Sequence, residues 1–364
     1  MNTNKLALVA LSSLKSVGPK RLSWLLSQEA NPALAFKKLR SGKLDYLHSP
    51  RGVSADLVRN WQQSAKKIDF DVLKNRLELE SVKILCSSDD LWPFKNDVEP
   101  PSVMFAKGDL SLLDNVNSIG VIGTRRCSSL GKRVAFEFGR DFALENVNVV
   151  SGLAHGIDGA AHKGALSVYG PTIAVVGGGL DYIYPKSNTK LWESISKSGL
   201  ILSESPLGAP PEKWRFPARN RLIAALSKAL VVVESHKSGG SLITVDECLE
   251  RDKPVFAVPG SILSPASEGT NRLISDGAVP ALKSSELLDE LFQISDTAKI
   301  QNNVISNLDP VSQTILKMCH TSQYHFDVLA DELGLATHIL LSKITELSHL
   351  GHISWDGSTV SVAN

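Results

Sequence analysis

The stretch Val116-Asn-Ser-Ile-Gly-Val-Ile-Gly-Thr-Arg-Arg126 decides the fold. A short apolar run breaks off abruptly into glycine, hydroxyl and charge. The pattern recurs along the chain. Ser151-Gly-Leu-Ala-His-Gly-Ile-Asp158 follows one apolar run, and Thr172-Ile-Ala-Val-Val176 leads to Gly177-Gly-Gly-Leu-Asp181. Leu200-Ile-Leu202 leads to Ser203-Glu-Ser-Pro206, Ala229-Leu-Val-Val-Val233 to Glu234-Ser-His-Lys-Ser-Gly-Gly-Ser241, and Val255-Phe-Ala-Val258 to Pro259-Gly-Ser261. Between them, Lys132–Glu145, Gly159–Tyr169, Asn188–Ser198, Asn220–Ser227 and Leu242–Arg251 have helical spacing. Continuous apolar strands alternating with helices predict an α/β fold with a parallel sheet covered on both faces. Ligands of such sheets bind at the carboxyl ends of the strands.

Outward from this core the chain changes character. Residues 1–75 carry thirteen Lys/Arg against five Asp/Glu, whereas residues 309–364 carry two against six. The net charge of +1 conceals this asymmetry, and a basic head suggests a polyanionic partner. Residues 1–75 read as small helices. In them Leu14-Lys-Ser-Val-Gly-Pro-Lys-Arg21 resembles the turn of a helix-hairpin-helix, with Lys20 and Arg21 as candidate phosphate contacts. A plain helical turn with a Gly-Pro break reads the same residues equally well. Residues 76–294 form the central domain, including two strands, Val82–Cys86 and Val103–Ala106, that extend the sheet, with Trp92 as a structural plug. A polar linker follows over 295–308. Residues 309–364 read as three helices and a hairpin around Asp356-Gly357, a winged helix. Its third helix has Lys343 as its one base, which favours protein contact over DNA reading. Four scattered cysteines, 86, 127, 248 and 319, make no Cys-x-x-Cys pair and suit a reducing cytoplasm. Leu6–Leu11 faintly resembles a signal-peptide core, but a buried helix turn is the better reading. No apolar run is long enough to span a membrane.

The loops carry the chemistry. Gly123-Thr-Arg-Arg126 is not a dinucleotide fingerprint. Backbone N–H, the Thr124 hydroxyl and the forked guanidinium of Arg125 or Arg126 suit a phosphodiester oxygen; internal ion pairs for both arginines are the alternative. His155 and Gly156 follow the next strand, where Asp158 is expected to cap a helix and His162 to be a packed histidine. Phe216-Pro-Ala-Arg-Asn-Arg221 offers an aromatic for base stacking, with Arg219, Asn220 and Arg221 beside it; one of the two arginines is expected to be structural. Gly239, Gly240, Ser241 and Thr244 form an anion nest before another helix.

In order and spacing, Gly123-Thr-Arg125, Gly152-Leu-Ala-His-Gly-Ile-Asp158, Gly178-Gly-Leu-Asp181 with Tyr184-Pro185, Phe216-Pro-Ala-Arg-Asn-Arg221, Ser241-Leu-Ile-Thr244 and Val258-Pro-Gly260 resemble the DNA-processing protein A (DprA, Smf) family of bacteria. The resemblance implies an extended Rossmann-like core with a helical head of sterile-alpha-motif or helix-hairpin-helix type and a winged-helix tail. It also implies single-stranded DNA binding without catalysis, cofactor or metal, protection of incoming DNA in natural transformation, and loading of RecA recombinase. A homodimer through the Rossmann-like domain and a cytoplasmic location belong to the same expectation, and Arg125 matches the family's backbone-contacting arginine. Two positions depart. His155 stands where Lys or Arg is usual, which weakens a phosphate contact near neutral pH, and Gly239 stands where Ser is usual. The rival class is a nucleoside-monophosphate phosphoribohydrolase on the same Rossmann variant, loosely echoed by Gly239-Gly240, Thr244 and Glu247. A nicotinamide dehydrogenase is the poorer third reading.

Overall fold

The head is a set of helices whose starts are written in the sequence. α1 (Thr3–Ser12) is capped by Asn2, α3 (Pro32–Arg40) by Asn31, α4 (Ala55–Lys67) by Ser54 and α5 (Phe70–Leu79) by Asp69. Each capping side chain accepts a backbone N–H that the first turn leaves unpaired. α2 (Pro19–Gln28) starts instead on Gly18, with Pro19 supplying the preset φ of a first helical residue. The computed structural model describes residues 2–44, 50, 52–293, 309–321, 323–349 and 353–362. The linker expected over 295–308 lies outside them. Leu6–Leu11 is buried along α1.

Nine strands make one sheet: β1 (Lys83–Leu85), β2 (Met104–Gly108), β3 (Ser118–Ile122), β4 (Asn148–Ser151), β5 (Thr172–Val176), β6 (Leu200–Ser203), β7 (Ala229–Val232), β8 (Val255–Ala257) and β9 (Val279–Pro280). Their order is β1-β2-β6-β5-β4-β3-β7-β8-β9. β3 to β9 pair in parallel, and β1 and β2 add an antiparallel margin beyond β6. This is a Rossmann-like α/β sheet. From β3 the chain builds β4, β5 and β6 to one side, then returns to lay β7 and β8 on the other. The strand order therefore reverses between β3 and β7, where a crevice opens at the carboxyl ends.

Alternate residues of each strand feed opposite layers, as the two-residue period requires. Ala174 and Ile201 join the layer that includes Leu8, Leu11 and Trp61 of the head. Their neighbours Ile173, Val175, Leu200 and Leu202 join the layer under α9 (Arg215–Leu226) and α10 (Ser241–Leu249). Burying one such aliphatic side chain contributes about 1.5–3 kcal/mol, so the shared core holds head and sheet together as one compact unit, Met1–Phe292. α6 (Ser129–Leu144), α7 (Ile157–Ser167), α8 (Thr189–Ser198), α11 (Glu268–Ser275) and α12 (Ser284–Phe292) complete it. Trp92 is buried edge-on to Phe94, 5.2 Å between ring centroids, and plugs the β1–β2 connection.

Three elements of this unit differ from expectation. α9 begins at Arg215, five residues before Asn220, because Pro217 sits in its first turn, where no N–H is required. α11 and the two-residue β9 were not anticipated.

The second unit has its own core of Ile315, Leu329, Leu340, Ile344, Ile353 and Val360. It consists of α13 (Pro310–Thr321), β10 (Tyr324–His325), α14 (Phe326–Leu333), α15 (Thr337–His349), β11 (Ile353–Trp355) and β12 (Thr359–Val362), with strand order β10-β12-β11. The Asp356 carboxylate accepts the N–H groups of Ser358 and Thr359 in the hairpin turn. Lys343 on α15 is held between Asp309 at 2.7 Å and Glu346 at 3.1 Å.

Candidate nucleic-acid interface

The loops after β3 and β7 face each other across the switch point. Thr124 donates its N–H to the carbonyl of Glu234 at 2.8 Å. The Glu234 side chain turns back to the start of α6, where its carboxylate accepts the Ser128 N–H at 2.8 Å and the Ser128 hydroxyl at 2.5 Å. Gly131 of the same turn leaves room for it, since a methyl group there would overlap the Glu234 carboxylate. A helix N-terminus attracts anions, and here the chain supplies its own. The pyrophosphate position of a dinucleotide enzyme is thereby filled.

Beside this plug the crevice, of about 750 Å³, is lined by the β3 loop, the β7 loop and the first turns of α9 and α10. Arg125 stands exposed at its mouth, with its guanidinium carbon 5.1 Å from the centroid of Phe216. Tyr184 lies 5.4 Å from the same ring. Among the described residues neither Arg125 nor Arg126 makes an ion pair. The internal-pair alternative therefore does not hold at this loop. The backbone donors behave differently from the sequence reading. Thr124 N–H is engaged by Glu234, and Arg126 N–H by the Thr124 hydroxyl oxygen at 3.2 Å. That leaves the guanidinium groups and the hydroxyl proton for a ligand. Gly156, at φ +80°, brings the β4 loop against this backbone; a Cβ there would lie 2.5 Å from the Thr124 carbonyl oxygen. His155 next to it is exposed, with Nδ1 3.1 Å from the Ser187 hydroxyl.

On the other wall Gly239, Gly240 and Ser241 line the crevice. The Ser241 hydroxyl shares a 2.9 Å hydrogen bond with Ser235, and Asn220 reaches the Gly240 carbonyl at 3.4 Å. Thr244 is 1% exposed and belongs mainly to the packing beneath.

Arg219 and Arg221 of α9 are both internal, where one was expected to be. Arg221 is buried, and its Nη2 donates to both carboxylate oxygens of Glu204, at 2.8 and 2.7 Å, with the Glu99 carboxylate 3.8 Å away. Arg219 lies under the crevice floor and donates to the carbonyls of Gly152, at 2.8 Å, and Val175. Burial pushes its pKa down to about 10, opposed by the nearby Asp158, so it stays charged at neutral pH. Arg219 thus adds positive field beneath the crevice without an open face for contact. Asp158 is not a helix cap. Gly156 occupies the cap position of α7, and the buried Asp158 carboxylate accepts the Ala154 N–H at 3.4 Å, tying the loop to its own helix. Burial raises its pKa, against the pull of Arg219. His162 is fully buried and packed, as expected.

Lys20 and Arg21 are not in the crevice. They line a separate groove between head and sheet, and Arg21 donates to the Ser16 and Gly52 carbonyls at 2.7 and 3.1 Å. Sequence reasoning missed Tyr184, Lys213 and the plugging role of Glu234. Tyr184 had a signal in its Tyr-Pro pair, and Glu234 in a carboxylate placed directly after a buried strand. Nothing marked Lys213.

The family model for DNA recombination-mediator protein A matches residues 83–292. DNA processing protein DprA of Bacillus subtilis is 39% identical over 214 residues, which span 58% of this chain and 72% of that protein. The X-ray structure of DNA processing protein A from Streptococcus pneumoniae superposes with a TM-score of 0.65 and 32% identity, over 80% of this chain and 98% of that one. DNA processing protein A from Helicobacter pylori, whose structure was described for its single-stranded DNA binding mode, gives a TM-score of 0.53 and 31% identity, over 58% of this chain and 96% of that one.

Proposed function

The chain belongs to the DNA recombination-mediator protein A family, and we propose that it binds single-stranded DNA without sequence preference. In this reading it protects incoming strands in natural transformation and loads RecA recombinase on them, working as a cytoplasmic homodimer through the Rossmann-like domain. The observation that carries the proposal is the crevice at the switch point, where Arg125 lies unpaired over Phe216 beside Tyr184. A guanidinium fork fits a phosphodiester oxygen, and aromatic faces accept any base. Arg126, Lys213 and the buried charge of Arg219 reinforce the attraction. Gly123, Thr124, His155, Gly156, Asn220, Gly239, Gly240 and Ser241 shape the surface. On α15 the single Lys343 is neutralised by two carboxylates, which argues against duplex reading by that helix.

Catalysis is not part of the proposal. Glu247, the glutamate that a phosphoribohydrolase reading would need, is bound by Arg251 at 2.7 Å. That arginine in turn pairs with Asp97 at 2.9 Å, which places Glu247 in a structural network. Fluorescence anisotropy with one oligonucleotide, single-stranded and annealed, tests the function. Tighter binding of the single strand, and no base release from nucleoside monophosphates, is expected. Equal affinity for both forms would contradict it.

A further inference from the structure

A second groove, of about 960 Å³, lies between the head and the carboxyl end of the sheet. One wall is the turn from α1 into α2. The other is the loop after β6 and the first turn of α9. Pro217 and Ile243 line both this groove and the Arg125 crevice, so the two open on either side of the same pair of side chains.

The groove contains a clamped aromatic. Trp214 is 49% exposed, yet its indole N–H donates to Glu212 at 2.9 Å, and the Arg215 guanidinium lies 4.5 Å from the ring centroid. Gly18 of the head turn backs onto the ring edge, where a Cβ would stand 3.4 Å away. The charges in the groove are not balanced. Glu212 faces Arg215 at 3.3 Å, whereas Glu247 shares Arg251 with Asp97 and Glu99 shares Arg221 with Glu204, so the positive excess comes from Lys15, Lys20 and Arg21. The ammonium groups of Lys15 and Lys20 make no ion pair among the described residues, and Arg21 holds only backbone carbonyls. Excess positive charge beside a flat, held ring suits the alternating phosphates and bases of a single strand.

We propose that this groove is a second strand-binding segment. A single strand held in the crevice continues over Pro217 and Ile243, lays a base on Trp214 and passes its phosphates by Lys15 and Lys20. The proposal rests on the crevice reading and extends it.

The test uses the full chain and oligothymidylates graded from about 4 to about 16 nucleotides. Trp24, Trp61, Trp92 and Trp192 are buried and Trp355 is half-buried in the second unit, so the part of the quenching that Trp214→Phe removes reports on Trp214. Longer oligomers should quench the emission, and Trp214→Phe should abolish most of that quenching. In wild type, affinity should rise at least about fivefold once the oligomer outgrows the crevice. Lys15→Gln/Lys20→Gln, both at exposed positions, should keep the affinity for the shortest oligomers and lose that gain. Its log–log salt slope should fall by about 0.7 for each phosphate contact removed. Long oligomers that bind without quenching, or a lysine variant that keeps the gain with length, would overturn the groove proposal while leaving the crevice reading intact. Failure of every oligomer to bind wild-type protein would sink both readings together.

Discussion

His162 sits at 0% exposure against β5. The Thr172 hydroxyl donates to the Val149 carbonyl at 2.9 Å, so it can only accept from His162 Nδ1, 2.7 Å away. Nε2 is then left as a buried lone pair with no hydrogen-bond partner among the described residues. Burial, helped by the charge on Arg219, pushes the imidazole pKa down from 6.5 to about 3. In the unfolded chain the ring takes up its proton near pH 6.5, whereas the folded chain refuses it until about pH 3. The contribution to stability is therefore complete above pH 6.5 and falls as acid is added, by about 1.4 kcal/mol per pH unit. Denaturant titrations between pH 7 and 5 should show His162→Gln losing less stability with acid than wild type. Equal acid sensitivity would place the titrating group elsewhere. The packed state of His162 was legible in the sequence from its place on an apolar helix, but its missing partner was not. Arg219 and Arg221 show the same limit. The type and spacing of the residues suggested phosphate contact, and only the layer covering α9 decides that both guanidinium groups point inward.

The elements were easier to read than the side chains. Unbroken apolar runs such as Thr172–Val176 and Ala229–Val232 can be satisfied only by strands covered on both faces. β9 is two residues long, exposed and contains Pro280, so no periodicity marked it. The start of α9 was hidden by Pro217, a residue that breaks helices everywhere except the first turn. Glycine misleads in another way. Gly139 in α6 and Gly164 in α7 look like weak helix formers that alanine would improve by about 0.5–1 kcal/mol. In the structure the two helices cross at backbone contact. A methyl group at Gly139 would run into the Ala161 carbonyl oxygen, and one at Gly164 into that of Phe136. Overpacking of this kind costs about 1–3 kcal/mol, so packing outweighs propensity. Gly139→Ala and Gly164→Ala should each lower the melting temperature; a higher value in either would show that the helices can part cheaply.

For the whole molecule, charge is divided along the chain and its sites are gathered on one side of the sheet. The crevice and the head groove both open at the carboxyl ends of the strands, whereas residues 309–364 carry a net −4. That second unit has its own core, so a chain ending at Phe292 should fold and bind single strands within tenfold of the full protein. A larger loss measured by anisotropy would give the second unit a part in DNA binding. Among the described residues no helix is long and apolar enough to cross a membrane. Strand binding at the crevice depends most directly on Arg125. A charge-assisted hydrogen bond contributes about 1.5–3 kcal/mol, so Arg125→Ala should weaken single-stranded DNA binding by roughly one to two decades. It should also lower the log–log salt slope by about 0.7, with the melting temperature unchanged. A folded Arg125→Ala protein with wild-type affinity and wild-type slope would contradict the account.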